Sequence, residues 1–243
     1  MYRPLPEPRV EVFCLWDYMK HTTCFNLLDA LKESGCAICT LIKKSIHKSM
    51  DDFLYEQVND PGVRKEIKES FGFCNRHAWH LQKFGDGFGL SIIYHYLSEL
   101  LIDKIDKQMD SKLLIKGLLQ DKEIRNFQKI QNSCMVCKGA REVERRYIEV
   151  FIDNFEDAEL QFAFKNSFGL CLPHLLTLLK LCKDAKMSTE VLKVEAAKIK
   201  SNIEELKEFE RKHDHRFSKE KFGKEGDSWI RAIEKLIGKE GVY

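Results

Sequence analysis

Apolar residues recur at helical spacing through most of this chain. Ile38, Leu41, Ile42, Ile46, Phe53 and Leu54 predict a helix that starts near Cys36 and runs to Val58. A shorter helix over residues 24–34 precedes it, with Thr22 or Thr23 as its cap and Gly35 as its stop. Asn59-Asp60-Pro61 ends the second helix and starts a third, because aspartate caps well and proline suits a first helical position. Phe71-Gly72-Phe73 breaks that third helix. A fourth runs from Cys74 to about Phe84. The turn Gly85-Asp86-Gly87-Phe88-Gly89 lacks the lysine and flanking strand of a phosphate loop and reads as a plain connection. A long amphipathic helix carrying Leu90, Ile93, Leu97, Leu100 and Ile105 follows, then another helical stretch over residues 113–129.

The same plan then recurs. Val136, Ala140, Val143, Tyr147 and Phe151 mark one helix face. Residues 158–166 form a short helix, Phe168-Gly169-Leu170 a break, and residues 171–182 a closing helix with Pro173 in its first turn. Beyond it, a helix over residues 189–212 carries Leu192, Ala196, Ile199, Ile203 and Leu206 at alternating steps of four and three. Such a seam is expected to pack across the two halves, or else to pair with a second copy. The tail holds Phe217, Phe222, Trp229, Ile230, Ile233, Leu236 and Ile237, too apolar for a free linker, and a last helix over residues 227–237 is expected to dock on the body. No segment alternates with period two. The chain therefore reads as all-α and internally duplicated: a first half at residues 20–110, a second at 111–185, and a C-terminal helical segment at 186–243 packed on both.

Composition narrows the function. Forty basic and 38 acidic residues leave a net charge of +2, which points to neither nucleic acid nor a membrane surface. No apolar run approaches the length of a membrane span, and the N-terminus has no signal-peptide core, so a cytoplasmic location is expected. In a reducing compartment, nine cysteines favour metal binding or redox chemistry over structural disulfides.

Those cysteines fall into a pattern. Cys36-Ala-Ile-Cys39 is followed by Phe71-Gly-Phe-Cys74-Asn-Arg-His77, with 34 residues between Cys39 and Cys74. Cys134-Met-Val-Cys137 is followed by Phe168-Gly-Leu-Cys171-Leu-Pro-His174, with 33 residues between Cys137 and Cys171. Three thiolates and one imidazole suit a closed tetrahedral zinc site. Each half is expected to hold its own ion: Cys36, Cys39, Cys74 and His77 in one, Cys134, Cys137, Cys171 and His174 in the other. Losing six thiol protons and gaining two divalent ions brings the net charge to about zero. The same donors also support iron–sulfur clusters, which stay open as the alternative cofactor. The dipeptides after each second cysteine exclude haem attachment, since Thr40 and Lys138 stand where histidine would be needed.

Other candidates carry less. His80 lies one turn beyond His77, but only His77 has a counterpart in His174. His95 reads as a semi-buried helix residue, and His213-Asp214-His215 as a solvated helix end. Cys14, Cys24 and Cys182 read as core or surface thiols. No nucleophile–base–orienter set is present, so no catalytic residue is assigned.

The doubled motif resembles an uncharacterised archaeal and bacterial domain family, and the tail strengthens the likeness through Glu210-Arg-Lys-His-Asp-His-Arg-Phe217 and Gly226-Asp-Ser-Trp-Ile-Arg-Ala-Ile233. The resemblance covers residues 20–238. It implies that the tail belongs to the domain, and that Arg211, Asp214, Arg216, Trp229 and Arg231 line a site near the metals. It implies no activity. The reading is a two-zinc helical protein acting as a binding or adaptor module for a protein partner. An iron–sulfur redox protein or enzyme and a zinc-organised nucleic-acid binder are the alternatives, and the oligomeric state is left open.

Overall fold

The computed structural model describes residues 15–109, 134–217 and 219–242, and it is all-α: among these residues there are ten α-helices and no strand. The helical stretch expected over residues 113–129 lies outside them, as does Cys14.

The first part comprises α1 (Leu15–Lys32), α2 (Ala37–Asp52), α3 (Pro61–Ser70), α4 (Asn75–Gln82) and α5 (Gly87–Met109). Helix α1 starts earlier than Thr22 and Thr23 suggest. Helix α2 passes into one π-turn, Phe53–Gln57, before the chain reverses. Asp60 caps α3 as expected, accepting from the Val63 N–H at 2.8 Å with Pro61 at the first helical position. Phe71 and Gly72 then both take left-handed backbone, which stops α3 and turns the chain to deliver Cys74 at the head of α4.

The second part repeats this order with α6 (Met135–Asp153), α7 (Ala158–Asn166) and α8 (Leu172–Leu181). Asp157 caps α7 through the amides of Glu159 and Leu160. Helices α9 (Ala185–Lys212) and α10 (Ser228–Ile237) complete the chain. The most extensive helix pairing is α2 with α6; α1 lies against α2, α6 and α7, and α8 lies against α6 and α10. The core at these contacts is built from Leu27, Ile38, Ile42, Met50, Ile148, Phe151, Leu160, Phe164 and Leu170, all below 3% exposed. Phe151 packs edge-on against Phe164, with ring centroids 5.1 Å apart.

One expectation about the C-terminal helices is corrected and one is refined. Helix α9 does not pack through its apolar seam: Leu192, Ala196, Ile199 and Ile203 are exposed, and the buried positions are Met187, Val191 and Glu195. Helix α10 docks on the body as expected, and it does so through its polar side. Ser228 and Lys235 are buried, whereas Trp229, Ile230, Ile233, Leu236 and Ile237 face outward. The cause is polar. On the inner side, Lys235 meets two carbonyls and a carboxylate, and the Ser228 carbonyl accepts from Asn202. Those bonds fix the orientation of a short helix that periodicity alone would have turned over.

Truncating Phe151 to alanine opens a cavity where α6 meets α7. Chemical denaturation should show a loss of about 3–5 kcal/mol, against under 1 kcal/mol for alanine at the exposed Phe162.

Candidate metal centres

All four motifs sit at helix starts. Cys36, Cys74, Cys134 and Cys171 are the N-cap residues of α2, α4, α6 and α8, and Cys39, His77, Cys137 and His174 follow in the first turn of each. A spacing of three brings the two side chains of each motif to the same side of its helix. The glycine before each Cys-x-x-His lets the chain fold back: Gly169 has φ +85°, and a Cβ there would fall 2.4 Å from a Glu195 carboxylate oxygen.

The eight side chains converge four by four, in a crossed arrangement. One tetrad is Cys36, Cys39, Cys171 and His174; the other is Cys74, His77, Cys134 and Cys137. Each therefore takes its Cys-x-x-Cys from one part of the chain and its Cys-x-x-His from the other. The expected grouping within each half is corrected on this point. The physical reason is the packing of α2 on α6. That contact brings the two Cys-x-x-Cys helix starts into one body, where each is met by the α4 or α8 of the opposite part.

In the first tetrad, His174 Nδ1 lies 3.4, 3.5 and 3.1 Å from the sulfurs of Cys36, Cys39 and Cys171, and the Cys39 and Cys171 sulfurs are 3.7 Å apart. In the second, His77 Nδ1 lies 3.2, 3.6 and 3.3 Å from Cys74, Cys134 and Cys137, with Cys74 and Cys137 3.6 Å apart. All eight residues are at most 8% exposed. A tetrahedral ion with bonds of about 2.3 Å to sulfur and about 2.0 Å to nitrogen spans edges of about 3.5–3.8 Å. Both tetrads have that size. Each can hold a metal ion.

The electrostatics also ask for a cation. The hydrogen bond from Cys137 holds Cys134 far below the usual thiol range, while Cys134 in turn drives Cys137 far above it. In the other tetrad, the bond to Cys36 pushes Cys171 up to about 12, with burial acting in the same direction. Without a positive charge between them, three crowded thiols cannot all ionise.

The surroundings of the two imidazoles differ. Glu144 lies 3.7 Å from the outer nitrogen of His174, the side on which a carboxylate orients a metal-bound histidine. At His77 that place is taken by the Arg76 guanidinium, 3.4 Å away.

The C-terminal segment closes over the first tetrad. Lys235 donates to the Phe168 carbonyl at 2.8 Å, the Leu170 carbonyl at 3.0 Å and the Glu195 carboxylate at 2.9 Å; Glu195 also accepts from the Leu170 N–H at 2.7 Å. This buried pair grips the turn that delivers Cys171. Lys239 directs its backbone N–H at the Cys39 sulfur, 3.5 Å away, and its ammonium at the Ser34 carbonyl and at Thr40 Oγ1. Gly35 leaves room for this, since a Cβ would lie 2.3 Å from Lys239 Cε.

This whole span is shared with other proteins. The model of a family of unknown function matches residues 19–241. The chain belongs to the DUF6062 family. Among curated proteins, an uncharacterised 23.9 kDa protein in the xynA 3′ region of Caldicellulosiruptor sp. (strain Rt8B.4) is 30% identical over 191 residues, covering 78% of this chain and 88% of that protein. No solved structure matches.

In this DUF6062 chain the remaining sequence candidates stand apart from the tetrads. His80 packs beside Phe84, and His95 is exposed rather than semi-buried, 3.4 Å from Glu99. His213 bonds the Phe209 carbonyl and packs on Phe222. Cys24 and Cys182 are half-buried and join neither tetrad. The polar tail residues form ion pairs of their own: Arg211 with Glu208 and Glu220, Arg216 with Asp214, and Arg231 with Glu205 and Asp227. The tail residues that do reach a tetrad, Lys235 and Lys239 with Glu195 of α9, carry no motif in the sequence.

Crossing predicts an unusual stoichiometry. Cys74→Ser/Cys134→Ser should retain one metal ion per chain, and Cys36→Ser/Cys74→Ser none; elemental analysis giving the reverse would restore pairing within halves. Separately, Glu195→Gln or Lys235→Ala leaves a buried charge unpaired and should lower unfolding free energy by about 3–5 kcal/mol.

Proposed function

We propose that this protein is a zinc-stabilised helical module that acts by binding a protein partner, with two structural ions and no catalytic centre of its own. The observation that carries the metal reading is the convergence of eight buried donors into two crossed tetrads. Edges of 3.6–3.7 Å between sulfurs suit one ion shared by all four ligands. An iron–sulfur cluster binds each thiolate to a separate iron or shares two irons among four ligands, and so needs a wider spread of donors. Four protein ligands leave no open coordination position for substrate, which favours a structural over a catalytic ion.

The recurrence of α2–α3–α4 as α6–α7–α8 supports an internal duplication, with the ions tying the copies together. A cytoplasmic location fits a protein that must keep six ligand thiols reduced, and no helix among the described residues is long and apolar enough to cross a membrane. Charge balance favours a protein partner over nucleic acid.

Protein purified under reducing conditions should contain two zinc ions and absorb nothing in the visible range. Chelation should lower its stability steeply, since a structural zinc contributes on the order of 10 kcal/mol to folding. Acidification should act in the same direction, because protons compete with metal for thiolate and imidazole. A brown protein with visible absorption, or an unchanged melting temperature after verified metal removal, would overturn this reading.

A further inference from the structure

The C-terminal helices present a surface that the body leaves uncovered. Leu192, Ile199 and Ile203 of α9 are 45%, 40% and 43% exposed, with Ala196 between them. Steps of four, three and four keep these side chains in one straight row, the spacing of a helix that packs along another helix. Helix α10, packed beside α9, turns Trp229, Ile233, Leu236 and Ile237 outward. Two adjacent helices thus expose apolar faces on a chain whose amphipathic helices α2 and α6 bury theirs.

The charges beside the row point to what covers it. Lys186, Lys193, Lys200 and Lys207 recur every seven residues and so form a parallel stripe; all four are exposed. Lys193, Lys200 and Lys207 directly follow Leu192, Ile199 and Leu206. On the opposite flank stand Glu195, which is buried, and Asn202, which binds the Ser228 carbonyl. Lys207 is engaged by the exposed Glu204 at 2.8 Å, and Lys186, Lys193 and Lys200 leave the open flank net cationic. A second copy laid on the row would bring lysine stripe against lysine stripe, or the stripe against its partner's body, and would be disfavoured. A flat anionic membrane fits less well, because the side chains of the row are more than half covered.

We propose that the α9 row and its lysine stripe form the docking site for an amphipathic partner helix with aliphatic residues at heptad spacing and glutamate or aspartate along the flank that meets the lysines. This rests on the binding-module reading and specifies its partner.

Two synthetic four-heptad peptides provide the test. They share leucine and isoleucine core positions, and their flanks carry glutamate in one and lysine in the other. Fluorescence anisotropy against the full, zinc-loaded chain should show binding of the acidic peptide, weakening as salt rises, with the basic peptide at least about tenfold weaker. Ile199→Asp should abolish binding with metal content and cooperative unfolding retained, since the position lies outside the core. Lys193→Glu/Lys200→Glu/Lys207→Glu should reverse the preference between peptides. Equal affinity for both peptides, full binding by the Ile199→Asp variant, or no binding at all would overturn the proposal. So would self-association in ultracentrifugation that Ile199→Asp abolishes, or binding to phosphatidylserine vesicles in place of peptide. Metal content and chelator-sensitive melting on the same preparation report on the zinc reading separately: peptide binding by a metal-free but folded chain would sink the zinc assignment and leave the docking site standing.

Discussion

Four helix starts meet in two places, and the described fold is organised around that meeting. A helix start exposes unpaired N–H groups and partial positive charge, so it tolerates concentrated thiolate better than any other part of a helix. Placing a cysteine at each N-cap directs its sulfur out of the helix and toward the partner motif. Because the tetrads are crossed, neither part of the chain completes a set of ligands alone. Metal affinity is thereby linked to the α2–α6 packing, and the coordination and the hydrophobic core favour the same arrangement.

The C-terminal segment extends this coupling. Glu195 and Lys235 form a buried ion pair whose remaining hydrogen-bonding capacity is taken up by the backbone of the Phe168–Leu170 turn. Such a pair adds little as an interaction between charges, given the cost of desolvating both, but it defines which face of α10 points inward. The consequence is visible on the outside. By committing its polar side to the core, α10 leaves its apolar side to solvent, alongside the α9 row. The arrangement that secures the first tetrad also creates the exposed apolar face.

Much of the local structure was legible along the chain. The Asp60-Pro61 start, the 158–166 helix and the breaks at Phe71-Gly72 and Phe168-Gly169 all depend on neighbours within four residues, and each stands where those neighbours require it. So do the identities of the eight converging side chains, since Cys-x-x-Cys and Cys-x-x-His are one-turn devices. Their grouping was not legible. Joining Cys39 to Cys171, 132 residues away, instead of Cys74 closes a loop about four times longer, yet loop entropy rises by only about 0.6 kcal/mol per doubling. Proximity in sequence is therefore a weak guide, and helix packing overrides it.

The inward face of α9 was misread, and that of α10 was not legible, for a related reason. Hydrophobic periodicity assumes that apolar area decides which side is buried. Here Lys235 and Glu195 find partners only once α8, α9 and α10 are together, and no pattern within one helix records that. The sequence alone determined the helices, their ends and the donor atoms, because these follow from interactions within a turn or two. Tertiary structure decided which donors share a centre, which faces are buried and which apolar row is left open, because each depends on groups far apart in the chain being brought into contact.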